Sequence, residues 1–165
     1  MARLNLLDAG APASFSFEDM LRYHGPGSPG GVAHAYKVLE RALPLLAPDG
    51  PPERREIAVR TAFGGPGARD GFELVLRAPT EGRYTVDAGL ARPERGWTRE
   101  RFVFRLATPA RTVTLGVREG FVTEEFLTLA RSENPGPRLD VLKREMADRV
   151  MAADAAAVYE RLTRS

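Results

Sequence analysis

A chain of 165 residues, 43% apolar and 28% charged, is long enough for one buried core and too apolar to remain unfolded. It has no cysteine, which excludes disulfides, thiolate metal sites, iron–sulfur clusters and a cysteine nucleophile together. With 24 basic and 22 acidic residues the net charge is +2, so the basic excess on which phosphate-contacting nucleic-acid binders depend is missing. The one local excess lies in residues 91–119, with seven Arg against three Glu. Lys37 and Lys143 are the only lysines, a bias toward arginine that reflects codon composition rather than binding. No apolar run approaches the ~20 residues of a membrane span. The opening Met1–Asp8 turns acidic too soon for a secretory segment. The expectation is a cytoplasmic protein with neither a nucleic-acid nor a membrane partner.

Ser16-Phe-Glu-Asp19 carries the cap and acidic first turn of a helix bearing Met20 and Leu21. His24-Gly-Pro-Gly-Ser-Pro-Gly-Gly31 ends it, because prolines and glycines cannot continue a helix. A second helix is expected from about Val32 to Leu43, with Val32, Tyr36, Leu39, Leu43 and Leu46 as its buried stripe. Residues 47–54 read as a loop. Glu56–Phe63 reads as a strand with Ile57, Val59 and Thr61 on one face, broken by Gly64-Gly-Pro-Gly67. Asp70–Ala78 fits either a strand or a short helix. Tyr84–Val86 is extended, and Arg101–Ala107 and Thr112–Arg118 form a hairpin through Thr108–Arg111. After Thr123 the spacing is helical: Glu124–Ala130, then a longer helix lined by Leu139, Leu142, Met146 and Val150. Asp154 can cap a last turn carrying Val158, Tyr159 and Leu162. Helices, an antiparallel strand cluster, then helices make an α+β domain: an N-terminal helix pair, an antiparallel sheet of four to five strands and C-terminal helices.

The segment least like an ordinary connection is 24–31, with four glycines and two prolines in eight residues. Glycines ahead of a helix let backbone N–H groups approach an anion; equally, they serve a tight turn between helices. His24 is either a pocket residue or a helix C-terminal residue matched to the dipole. His34 shares a helix face with Lys37, Val38 and Arg41, which makes it a solvated histidine. Asp70 beside Gly71 suits a helix N-cap. The Gly-x-Ser-x-Gly elbow of a serine hydrolase is absent around Ser28. Arg101 and Arg105 alternate with Phe102 and Phe104, so they occupy the outer face of a half-buried sheet, with Glu94, Glu100 and Glu119 at hand to pair. Trp97 lies in a loop that could cap a pocket or pack on a sheet edge.

His24-Gly-x-x-Ser28-Pro-Gly30, followed by a helix with Tyr36, resembles the N-terminal signature of the FmdE-like domains, a family that takes its name from formylmethanofuran dehydrogenase. That signature is His-Gly-His-x-Cys-Pro-Gly, then a helix with a Gly-Tyr pair. Phe17-Glu-Asp-Met-Leu21 leading into the histidine agrees. A strand ending in a Cys-Gly-x-Asp-Ala turn that opens a helix compares with Ile57–Phe63 and Gly64-Gly-Pro-Gly-Ala-Arg-Asp70. The ending resembles Met146-Ala-x-Arg-Val-Met-Ala-Ala-Asp154. The resemblance spans about residues 15–162. It implies an N-terminal arm over 1–14, a single α+β domain over 15–165, and a helix rather than a strand at 70–78. It also implies a metal site, zinc for instance, on the His and Cys of the first motif. Here the second His of the motif is Pro26, its Cys is Ser28, and the Gly-Tyr register is off by one, with His34-Ala35-Tyr36 in its place. Only His24, with Asp70 as a second donor, is left to hold a metal, whereas zinc takes three or four protein ligands.

Together these features point to a small-molecule-binding or accessory protein with a degenerate metal site, its pocket formed by His24, Ser28, Gly30, Tyr36 and Asp70. Two alternatives stand beside it. One is an enzyme using His24 and Asp70 as acid and base or as metal ligands. The other is an interaction module or homodimer that meets a second protein through the arginine-bearing sheet or the Trp97 loop.

Overall fold

Alternating apolar residues build the centre of the sheet. In the computed structural model, which describes residues 2–163, β5 (Val103–Ala107) and β6 (Thr112–Val117) pair antiparallel with Phe104 opposite Leu115 and Leu106 opposite Val113. β3 (Ala58–Thr61) joins the other edge of β5, setting Val59 against Leu106. The apolar rows of the three strands thus coincide on one face, and Phe104, Leu106, Leu115 and Val113 are all buried. Burying each such side chain stabilises the fold by roughly 1.5–3 kcal/mol before ordering costs are set against it.

Against this face lies α2 (Pro29–Leu46), which touches β5, β6 and β7 (Tyr159–Arg161) on one side. Around its remaining circumference are α1 (Phe17–His24), α3 (Pro66–Leu76), α5 (Arg138–Ala152) and the short α6 (Ala155–Val158). Such enclosure requires small residues, because helix axes approach closely only where side chains are short. Gly31 faces α3, where a β-carbon would come within 3.1 Å of the Ala68 nitrogen, and Gly30 faces α5, at 2.9 Å from the Met146 sulfur. α2 is therefore buried on nearly every side, and the single stripe expected from Val32 to Leu46 widens to include His34, Lys37 and Val38. α4 (Glu124–Ala130) packs on α5.

The fold is α+β, and its sheet differs from expectation in one pairing. The order is β4-β3-β5-β6-β7, and β4 (Tyr84–Val86) runs parallel to β3. The reason lies in α3. A helix between two adjacent strands returns the chain to the same end of the sheet, so the second strand runs parallel to the first. Residues 70–76 are thus helical, as the resemblance implied, and the sheet is mixed rather than wholly antiparallel.

Both termini also depart from the sequence reading. The expected N-terminal arm is a β-hairpin of β1 (Leu4–Asp8) and β2 (Ala11–Phe15), which buries Leu4 and Leu6 in the core. At the other end the helix stops at Val158. Tyr159 begins the edge strand β7 instead of continuing a helical turn, because Val117 and Leu115 offer it an open ladder. No helix among the described residues is long and apolar enough to cross a membrane.

Candidate functional site

Two helices begin side by side with the same local chemistry. α2 opens Ser28-Pro-Gly-Gly31 and α3 opens Gly65-Pro-Gly-Ala68, each with proline in its first turn and no side chain capping its N-terminus. Proline suits that position because it has no N–H to satisfy. The N–H groups that follow, on Gly30, Gly31, Gly67 and Ala68, find no acceptor among the described residues. α1 and α4 are treated differently. Ser16 and Asp19 form a capping box on α1, and the Thr123 hydroxyl accepts from Phe126 N–H on α4. The far end of α3 is clothed as well: Arg54 donates to the Leu74 and Val75 carbonyls, and Arg83 to that of Leu76.

The two bare starts are in contact. A β-carbon on Gly67 would run into the Ser28 carbonyl and come within 3.0 Å of the Val32 nitrogen. Together they open onto a cleft of about 270 Å³, walled by Phe63, Phe126, Ala130 and Leu139. Lys143, on α5, stands at its rim and donates to the Gly27 carbonyl at 3.0 Å, with the Ser28 hydroxyl 3.4 Å away. Two partial positive charges from the helix dipoles and one full charge therefore converge on an otherwise apolar cleft. A larger hollow of about 600 Å³, beside Arg3, Glu40 and Pro51 at the opposite end of α2, is open and receives no helix start.

His24 and Asp70 come together as a pair. Gly25 (φ 88°) turns the chain out of α1 in a conformation that side-chain-bearing residues avoid, and leaves the His24 ring lying on α3. His24 Nδ1 meets Asp70 Oδ2 at 2.7 Å, and the histidine side chain is only 8% exposed. Nε2 is buried without a partner, beside Gly27. Asp70 sits in the second turn of α3 and is not its N-cap, which is Gly65. The pair ties the end of α1 to α3 and so holds the 25–28 loop over the two helix starts.

The other expected pocket residues divide. Ser28 lines the cleft. Gly30 turns its missing side chain toward α5, so its packing role is plain, while its N–H stays unbonded. Tyr36 is not brought to the others. It is buried against Phe17, its hydroxyl donates to the Ala2 carbonyl at 2.9 Å, and burial pushes it up to about 12.

His34 corrects the sequence reading outright. It is fully buried, with Nδ1 2.8 Å from the Tyr159 hydroxyl and its ring against Phe102. Burial pushes its imidazole down to about 3, against a smaller opposing pull from the Phe121 backbone. The face it shares with Lys37 and Val38 is not solvated, because β7 and the start of β5 cover it. Lys37 is buried too and reaches Glu40 at 2.8 Å.

On the sheet's outer face Arg105 lies opposite Arg60 and donates to the Thr114 hydroxyl, while Arg60 reaches Asp87 at 3.0 Å. Of the three glutamates expected to pair with the arginine-rich segment, Glu119 does so, with Arg99. Trp97 is 40% exposed and its indole N–H donates to Glu124 at 3.3 Å.

A metal does not fit the donors present. Among the described residues no three His, Asp or Glu side chains stand close enough to share an ion, and the two that the resemblance offers are spent on each other. The ammonium of Lys143 next to Ser28 further opposes a cation there. Lys143, Gly67, Phe63 and Phe126 escaped sequence reasoning. Lys143 carries no signal in the sequence, because the scarcity of lysine is compositional; for Gly67 the signal is the repeated Pro-Gly-small opening of both helices. The chain matches no known family model and none of the curated proteins.

Proposed function

We propose that this chain is a divergent FmdE-like protein, acting without a metal as a binding or accessory protein for a small organic acid. One observation carries the reading: two uncapped helix N-termini open side by side, with Lys143 at the rim, onto an apolar cleft. A carboxylate or phosphate head accepts from the free N–H groups and meets the positive ends of both dipoles, while the walls take up an apolar body. His24 and Asp70 serve as positioning residues that hold the loop in place. The acid–base alternative requires Nε2 of His24 to touch substrate, and that atom is covered, so binding is the better-supported role.

Two measurements test this. Protein purified without chelator or affinity tag should carry far less than stoichiometric metal by inductively coupled plasma mass spectrometry. In calorimetry octanoate should bind, while octanol and octylamine should not. Stoichiometric zinc, iron or nickel that disappears in His24→Ala would overturn the metal-free reading, and equal binding of octanol would overturn the anion site.

A further inference from the structure

The cleft continues past its apolar walls. Phe63, Phe126 and Ala130 also line a second hollow of about 260 Å³, so the two adjoin along these side chains and together make up a groove. Its far end is bounded by Trp97, Arg101 and Arg131. Resting on the anion-binding reading above, we propose that the groove takes an elongated molecule with an acidic group at each end and an apolar middle.

The middle is set by what separates the ends. Phe63 is stacked on Phe102 with ring centroids 4.3 Å apart, which fixes that wall in place. A polar stretch lying between Phe63 and Phe126 would give up its water without a replacement partner. The far end is cationic and prepared. The Arg131 guanidinium lies over the Trp97 ring at 5.4 Å, and the nearby carboxylate of Glu124 is turned to the Trp97 indole. Among the described residues neither Arg101 nor Arg131 has an ion-pair partner, while Arg99 holds Glu119 and Arg138 holds Glu125. A guanidinium fork matches a carboxylate bidentately, so two unpaired forks at the end of an apolar groove recognise a second acidic group. With Lys143 at the opposite end, a monoanion would leave one cationic end unmatched.

Calorimetry on the full chain tests this with α,ω-dicarboxylates from adipate to dodecanedioate against the monocarboxylates of matching length. The dicarboxylate of best length should bind about tenfold more tightly than its monocarboxylate, a difference of about 1.4 kcal/mol. The double variant Arg101→Met, Arg131→Met should remove that advantage and leave monocarboxylate binding unchanged, with a matching circular dichroism spectrum showing that it folds. Lys143→Met should weaken both series. Equal affinity for the two series, each dependent on Lys143, would overturn the second subsite and keep the anion site. Failure of every acid to bind in a Lys143-dependent way would overturn both.

Discussion

The chain has two histidines, and the fold gives each of them one hydrogen bond and one bare nitrogen. They differ in the partner. His24 meets a carboxylate at the end of a helix, beside a loop that leads into the cleft. His34 meets the phenol of Tyr159 in the centre of the core, where no charge balances it and burial holds the ring neutral. A phenol in an apolar core offers an imidazolium no counter-charge, so only the neutral ring of His34 fits there. The first histidine ties a loop to a helix beside the cleft and the second is part of the core, which overturns the solvated position that the helix pattern implies for His34.

The largest expected effect comes from His34. Its pKa is about 3 in the folded chain and near 6.5 unfolded, so between those values the unfolded state binds more protons. Its contribution is complete above about pH 6.5 and is lost as pH falls toward 3, amounting to on the order of 3–5 kcal/mol. Urea unfolding measured from pH 7 to pH 4 should show this slope, and His34→Gln should flatten it even if that variant is less stable throughout. Next in size, Tyr159→Phe leaves Nδ1 of His34 buried and unpartnered, and should cost about 1–3 kcal/mol. Asp70→Asn keeps an acceptor for His24 in a partly exposed setting and should cost less than about 1 kcal/mol in thermal unfolding. A loss as large as that of Tyr159→Phe would make the first pair structural as well.

Two glycines near the first histidine sharpen the contrast further. At Gly67 the obstruction is backbone of α2, which cannot yield, and alanine should cost about 1–3 kcal/mol. At Gly27 a β-carbon would sit 3.9 Å from His24 Nε2, ordinary contact, so Gly27→Ala should leave the melting temperature almost unchanged.

Much of the fold was legible in local pattern. The period-two rows at Phe102–Leu106 and Val113–Val117 placed the central strands. Ser16, with Asp19 three residues on, placed the start of α1. Both signals are local, because the residues that create the pattern also form the element. The parallel pairing of β3 with β4, the strand at Tyr159 and the burial of His34 depend on which distant segment covers which face, and no local period carries that. Of the candidate site, the family resemblance names His24 and Asp70 as candidate donors but does not fix their contact, since the positions are 46 residues apart and no spacing rule joins them. Lys143 and the apolar walls come from helices that reach the cleft only through tertiary packing. Tyr36 was misplaced because its helix is covered all round, so that position along the helix did not fix which neighbours it would meet.

Acid binding at the bare starts of α2 and α3 is tested most directly by backbone amide NMR with octanoate as titrant. The Gly30, Gly31, Gly67 and Ala68 amides should shift together and saturate, and Lys143→Met should require about tenfold more octanoate for the same saturation. Shifts confined to other surfaces, or four amides that stay fixed while octanoate binds, would contradict it.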